Sequence, residues 1–123
     1  TSKADIPKDS QYRFAAGLAD EMVNAPVVIL VYSNSTGVAA SSTFPGVQNL
    51  LLSARALGLG TVLTNLHADV MEQVNTMFGV PSEMAFHCCI PVGYPRGNFG
   101  PTSRLPTSVT TSWDRWGNPP PWK

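Results

Sequence analysis

The sequence predicts an α+β layered fold with one mixed sheet flanked by helices, and three observations carry that expectation. The run at residues 27–32, Val-Val-Ile-Leu-Val-Tyr, is apolar without polar alternation, as in a strand covered on both faces. Three segments place apolar residues at helical spacing and alternate with the extended runs, giving helix, strand, helix, short strand, helix, strand. The length, 123 residues with 43% hydrophobic, suits one small domain around one core.

Residues 1–10 are polar, contain Pro7, and read as a lead-in loop to an α+β domain over residues 11–95. The first helix is expected over 11–24, with Phe14, Leu18, Met22 and Val23 in its apolar pattern, and Ala25-Pro26 ends it because the residue before a proline avoids the α region. After the strand at 27–32, the small polar residues 34–42 form a loop. A second helix is predicted to open near Ser42-Thr43, either of which could cap it, with Pro45 tolerated in the first turn. Val47, Leu50, Leu51, Ala54 and Leu57 make its stripe, Leu52 widens it, and Gly58 stands where a left-handed cap belongs.

Residues 61–64 are a short extended candidate. A third helix is expected over 68–78 with Val70, Met71, Val74, Met77 and Phe78 turned inward, closed by Gly79 and Pro81. Residues 85–94 read as a second buried strand in which Pro91 requires an edge or a bulge. Residues 96–123, rich in Pro, Gly, Ser and Thr with scattered Trp, have no core pattern and read as an extended tail laid on another surface.

Charged residues make up only 13%, against about 25% in an ordinary globular chain. That shortage points to surface buried against a partner, with a Ser/Thr/Asn-rich surface as the plainer account. Eight basic and eight acidic residues cancel without a basic cluster, which argues against nucleic acid. No apolar run approaches the roughly 20 residues of a membrane-spanning helix, and no signal peptide stands at the start. Cys88 and Cys89 are adjacent, lack metal-site spacing, and would point to opposite faces of a strand. They are expected to be reduced thiols, which favours a cytoplasmic location.

Nucleotide-loop, zinc-protease and dithiol motifs are absent. Of the two histidines, His87 falls in a buried strand, where a satisfied core histidine is the leading reading, and His67 reads as a helix N-terminal residue.

Phe44-Pro45-Gly46-Val47-Gln48-Asn49-Leu50-Leu51-Leu52-Ser53-Ala54-Arg55-Ala56-Leu57-Gly58-Leu59-Gly60 resembles the central helix of the nitroreductase family. Three more stretches agree in order: the strand from Ala25 to Tyr32, Phe78-Gly79-Val80-Pro81 with Ile90-Pro91-Val92-Gly93-Tyr94-Pro95, and Ser103-Arg104-Leu105-Pro106 with Trp113-Asp114-Arg115-Trp116. The arginine-rich segment that binds the FMN phosphate at the start of family members has no counterpart before Gln11. The resemblance is therefore to the C-terminal half, with the layered fold expected to be incomplete at the N-terminus.

The resemblance implies FMN as cofactor, NAD(P)H as electron donor, and a nitro, quinone or similar small molecule as acceptor. The flavin supplies the redox chemistry, so no catalytic side chain is expected. By position, Leu63, Thr64 and Asn65 would line the flavin ring, against the plainer reading of a strand end. Arg104 would hold the FMN phosphate through charge-assisted bonds, against a solvated tail arginine. Thr102 stands where many relatives carry a basic residue, which weakens that half of the phosphate site.

Phe44 could line the acceptor pocket or act as a hydrophobic staple, and Gln48 and Asn49 pack the helix or touch the partner or the site edge. Trp113, Trp116 and Trp122 read as tail anchors. The family implies a homodimer with the flavin at its interface, or here a complementary N-terminal chain. The alternative is a non-catalytic dimerisation or interaction module that has lost flavin binding.

Overall fold

In the computed structural model, residues 12–34, 38–65 and 68–122 are described; the side chains of residues 12–15 and 68 are not among them. The lead-in at 1–10, the side chain of Phe14 and His67 therefore lie outside the described residues. The elements in order are α1 (Tyr12–Glu21), β1 (Val27–Asn34), α2 (Ala39–Ala56), β2 (Gly60–Thr61), α3 (Met71–Phe78), β3 (Met84–Gly93) and α4 (Thr107–Thr110). Short 3-10 turns at Met22–Asn24 and Ala68–Val70 extend α1 and lead into α3.

The sheet order is β1-β3-β2. Both pairings are antiparallel rather than mixed, because β3 inserts between two strands that run parallel to each other and are linked by the α2 crossover. Val27 pairs with Val92, Ile29 with Ile90 and Val31 with Cys88; then Tyr32 pairs with Phe86, so His87 is the extra residue of a β-bulge.

The pleat sorts the side chains. Ile29, Val31, Cys88, Ile90 and Val92 face α2, where they meet Val47, Leu50 and Leu51. On the opposite face Val28, Leu30 and Cys89 line an apolar cavity of about 240 Å³ with Met22 and with Met71, Val74 and Phe78 of α3. Cys88, Cys89 and Ile90 are almost completely buried. On the α3 side Tyr32 donates its hydroxyl to Asn75 Oδ1 at 2.8 Å and stands edge-on to Phe86, tying β1 to α3.

The second helix begins at Ala39, earlier than its sequence suggests, so Pro45 lies inside it. The amide that Pro45 lacks would have bonded the carbonyl of exposed Ser41, where water replaces it at little cost. The helix ends as expected. Gly58 adopts φ 78°, its N–H bonds Arg55 O at 3.1 Å, and Leu59 N–H bonds Ala54 O at 2.9 Å, which is a Schellman closure. Gly79 closes α3 with φ 63°.

Several residues expected inside stand at the surface. Val23, Leu52, Leu57, Met77 and Phe78 are between 58% and 86% exposed, and Val70 is 40% exposed. Their apolar stripes are wider than the three-stranded sheet beneath them. Met71 and Val74, the centre of the α3 stripe, do turn inward. The tail leaves β3 and lays Phe99 under the guanidinium of Arg55, 4.1 Å from the ring centroid. Farther along, Trp113 and Trp122 meet edge to face at 5.3 Å, while Trp116 is 99% exposed. Among the described residues no helix is long and apolar enough to cross a membrane.

Ile90 fills the centre of the sheet, so Ile90→Ala is expected to lower unfolding free energy by about 2–5 kcal/mol. Met77→Ala, at an exposed position, should shift it by no more than about 0.5 kcal/mol. Urea titration of the two variants beside the parent chain checks the contrast.

Candidate functional site

Pro91 accounts for the local shape of the edge. It was expected at an edge or bulge, yet it lies in the central strand opposite Val28. The antiparallel ladder alternates its bonding direction. Cys89 turns its amide and carbonyl toward β2, as does Gly93, so Pro91 between them would do the same. The amide that Pro91 lacks therefore falls on the β2 side, opposite Val62. There β2 lapses: Gly60 and Thr61 pair with Gly93 and Val92, Val62 and Leu63 leave the ladder, and Thr64 rejoins it opposite Cys89. The register is unchanged across the gap, because the pairs 60/93, 61/92 and 64/89 all keep one alignment.

Thr64 is the anchor of the segment. Its N–H bonds Cys89 O at 3.0 Å, its carbonyl accepts from Cys89 N–H at 2.8 Å, and its side chain is buried. With both backbone groups of Thr64 turned toward Cys89, the alternation of an extended chain would turn those of Leu63 and Asn65 away from β3, to the flank where no further strand lies among the described residues. Leu63 is 39% exposed and Asn65 is exposed. The sequence-derived trio thus forms one short edge with a fixed centre and two open neighbours.

The tail pair is placed differently. Thr102 and Arg104 are exposed, and Arg104 Nη1 donates to the carbonyl of its neighbour Ser103 at 3.1 Å. No hydrogen bond among the described residues joins either to the 63–65 edge. The guanidinium is left with most of its donors available. Gln48 and Asn49 are exposed on α2.

Phe44, on the N-terminal half of α2, stands edge-on to His87 at 5.8 Å between centroids. His87 was read as a satisfied core histidine. It is half-buried, and the Ser33 hydroxyl lies 2.5 Å from its Nε2. The sequence gives no sign of this pairing, since 54 residues separate the two and the bulge that turns His87 onto the α2 face has no local signature.

Burial pushes the Cys88 and Cys89 thiols above their ordinary value of 9.0, and for Cys89 the neighbouring Cys88 adds to it. Both are free thiols, in keeping with the sequence expectation. Neither is poised as a nucleophile. Among the described residues no group of three His, Cys, Asp or Glu could hold a metal ion.

The family model of the nitroreductase family matches residues 2–94. An NADH dehydrogenase/NAD(P)H nitroreductase of Methanothermobacter thermautotrophicus is 34% identical over 84 residues, which cover 63% of this chain and 44% of that protein. The chain thus spans less than half the length of this relative. Among solved structures, a nitroreductase from Desulfovibrio desulfuricans in complex with FMN superposes with TM-score 0.65 at 25% identity, covering 87% of this chain and 62% of that one. An oxidized iodotyrosine deiodinase bound to FMN and 3-iodo-L-tyrosine superposes with TM-score 0.62 at 21% identity, covering 94% and 62%. The latter likeness is one of fold.

The raised thiols fix the sign of an alkaline effect. Below about pH 9 they are protonated in both folded and unfolded chains and contribute no pH dependence. As pH rises past that value the unfolded chain releases their protons first, so stability falls. Tyr32, raised by burial from 10.0, adds to the fall at still higher pH. Urea midpoints between pH 7 and pH 10 should decline at the alkaline end, and less so in the Cys88→Ala/Cys89→Ala variant relative to its own value at pH 7.

Proposed function

The chain belongs to the nitroreductase family, and from that premise we propose that it serves in an FMN-dependent NAD(P)H oxidoreductase and supplies one flank of the flavin site. The observation that carries this reading is the edge at Leu63, Thr64 and Asn65. Thr64 is bonded twice to Cys89, which fixes the centre of this edge independently of any ligand.

This edge fits a planar isoalloxazine ring. Residues 62–65 are uncharged, and the outward N–H groups can donate to ring nitrogens and carbonyl oxygens. The bound flavin would supply the redox chemistry, taking a hydride from NAD(P)H and passing electrons to a nitro group, a quinone or a similar acceptor. The chain's part is to orient and to tune. Donors at Leu63 and Asn65 would favour electron density on the flavin ring. Leu63 would help exclude water, and Thr64, bonded to Cys89, would keep the edge in place. Arg104 would take the phosphate, where a guanidinium gives two parallel charge-assisted bonds, with Thr102 offering a neutral hydroxyl beside it. A homodimer with the ring at its interface accords with the apolar residues that the described chain exposes, among them Leu52, Leu57, Phe78, Leu105 and Trp116.

Titration of the purified full chain with FMN and with riboflavin, followed by flavin fluorescence, tests the reading. Saturable uptake of FMN is expected. Arg104→Ala should weaken FMN by about 10- to 100-fold, the loss of one hydrogen bond to a charged group, and leave riboflavin, which lacks the phosphate, unchanged. Failure to take up either compound would favour the interaction module over the flavoprotein.

A further inference from the structure

His87 is only half-buried although it lies in the central strand between two fully covered faces at Cys88 and Cys89. A histidine kept only for packing has both ring nitrogens satisfied; here Nε2 meets Ser33 Oγ, and Nδ1 has no partner among the described residues. Nor is Nδ1 sealed away, since among the described residues no buried side-chain nitrogen or oxygen lacks a partner. The bulge at Val31 and Tyr32 makes His87 the extra residue of β3, and the ring turns to the α2 side, beside Cys88 and edge-on to Phe44.

Ser33 has one hydroxyl proton and two places for it. Its Oγ lies 2.5 Å from His87 Nε2 and 3.2 Å from the Asn34 carbonyl. When the proton goes to Asn34, Nε2–H must donate to Ser33 Oγ, and Nδ1 presents a lone pair. When it goes to Nε2, Nδ1 carries the hydrogen and presents a donor. A small rotation of one hydroxyl therefore converts the open face of the imidazole between acceptor and donor, without a charge. The residues in contact with the ring, Ser33 and Phe44, are themselves uncharged.

The register puts this pair at the same end of the sheet as the proposed flavin edge. Thr64 lies opposite Cys89, so Asn65 comes level with Cys88, the residue next to His87. We propose that His87 is a specificity-determining residue for the electron acceptor, its Nδ1–H donating to an oxygen of a nitro or quinone group that lies against the half-exposed Phe44 ring, with Ser33 selecting the donor tautomer. The acceptor class rests on the flavoprotein reading; the hydrogen-bonding switch rests on the geometry of Ser33, His87 and Phe44. Oxygen atoms of nitro groups and quinones only accept hydrogen bonds, so they select the state with the proton on Nδ1. An aromatic ring carrying such a group finds its apolar surface at Phe44.

The chain has two histidines, which makes the imidazole nitrogens directly readable. The full chain, labelled with ¹⁵N-histidine, is titrated with 4-nitrobenzyl alcohol and followed by long-range proton–nitrogen correlation. The His87→Gln spectrum assigns the signals, and His67→Gln serves the same purpose should the first variant fail to fold. The expected result is a saturable change in which His87 Nδ1 becomes the protonated nitrogen and Nε2 the acceptor. Ser33→Ala is expected to weaken binding about 2- to 10-fold, the scale of one neutral hydrogen bond. His87 nitrogens that stay unmoved up to the solubility limit of the probe overturn the proposal. FMN titration of the same sample separates the two readings: flavin uptake with a silent His87 removes this inference alone, and a responding His87 without flavin uptake removes the flavoprotein reading together with the electron-acceptor role and leaves the hydrogen-bonding switch.

Discussion

The antiparallel ladder between β1 and β3 is the constraint on which the other features depend. It runs from Val27 opposite Val92 to Asn34 opposite Met84, and at its centre Cys88, Cys89 and Ile90 are shut off from water. A strand buried on both faces can exist only if helices cover it and its polar backbone is paired on both sides. α2 supplies one cover through Val47, Leu50 and Leu51, and α3 supplies part of the other through Met71 and Val74. The side-chain alternation fixed by the ladder then decides which residues become core and which become available.

Two irregularities in β3 shape the surface proposed for binding. At Pro91 the missing amide breaks the ladder to β2, so the chain drifts at Val62 and Leu63 before Thr64 ties it back to Cys89. At His87 the extra residue of the bulge rotates an imidazole onto the α2 face, where Ser33 and Phe44 meet it. Irregular backbone inside a well-paired sheet is costly and persists where the surroundings enforce it. Here the pairing on the β1 side of Pro91 is continuous, and that continuity carries the strand past the break. Both departures from regularity thus border the residues to which binding is assigned.

The tail obeys a different logic. It has little core of its own: Phe99 lies under Arg55 of α2, and Trp113 meets Trp122 within the tail itself. Between these points Thr102 and Arg104 face solvent. A segment held to the domain at Phe99 and exposed beyond it presents a guanidinium to solvent. The low charge content makes such a group stand out.

By itself the sequence determined the order and type of the elements, because apolar periodicity and glycine punctuation act over a few residues. Residues 27–32 form a strand as read, but not one covered throughout on both faces. Val27 and Val28 are 54% and 40% exposed and β1 lies at an edge of the described sheet, because its central place is taken by β3. Gly58 and Gly79 end helices as read. The four ordered stretches between Ala25 and Trp116 together were enough to reach the family. The edge at Leu63, Thr64 and Asn65 came from that resemblance, since four uncharged residues in a row carry no signal of chemistry. Tertiary structure alone decided that β3 lies between β1 and β2, because strand order depends on contacts between distant residues. It decided that Phe78 and Leu57 stay exposed, since a helix's apolar stripe does not state how much of it will be covered. It also turned His87 from a core histidine into a half-paired one. A bulge is set by how two strands register across 54 residues, and no local pattern encodes that distance.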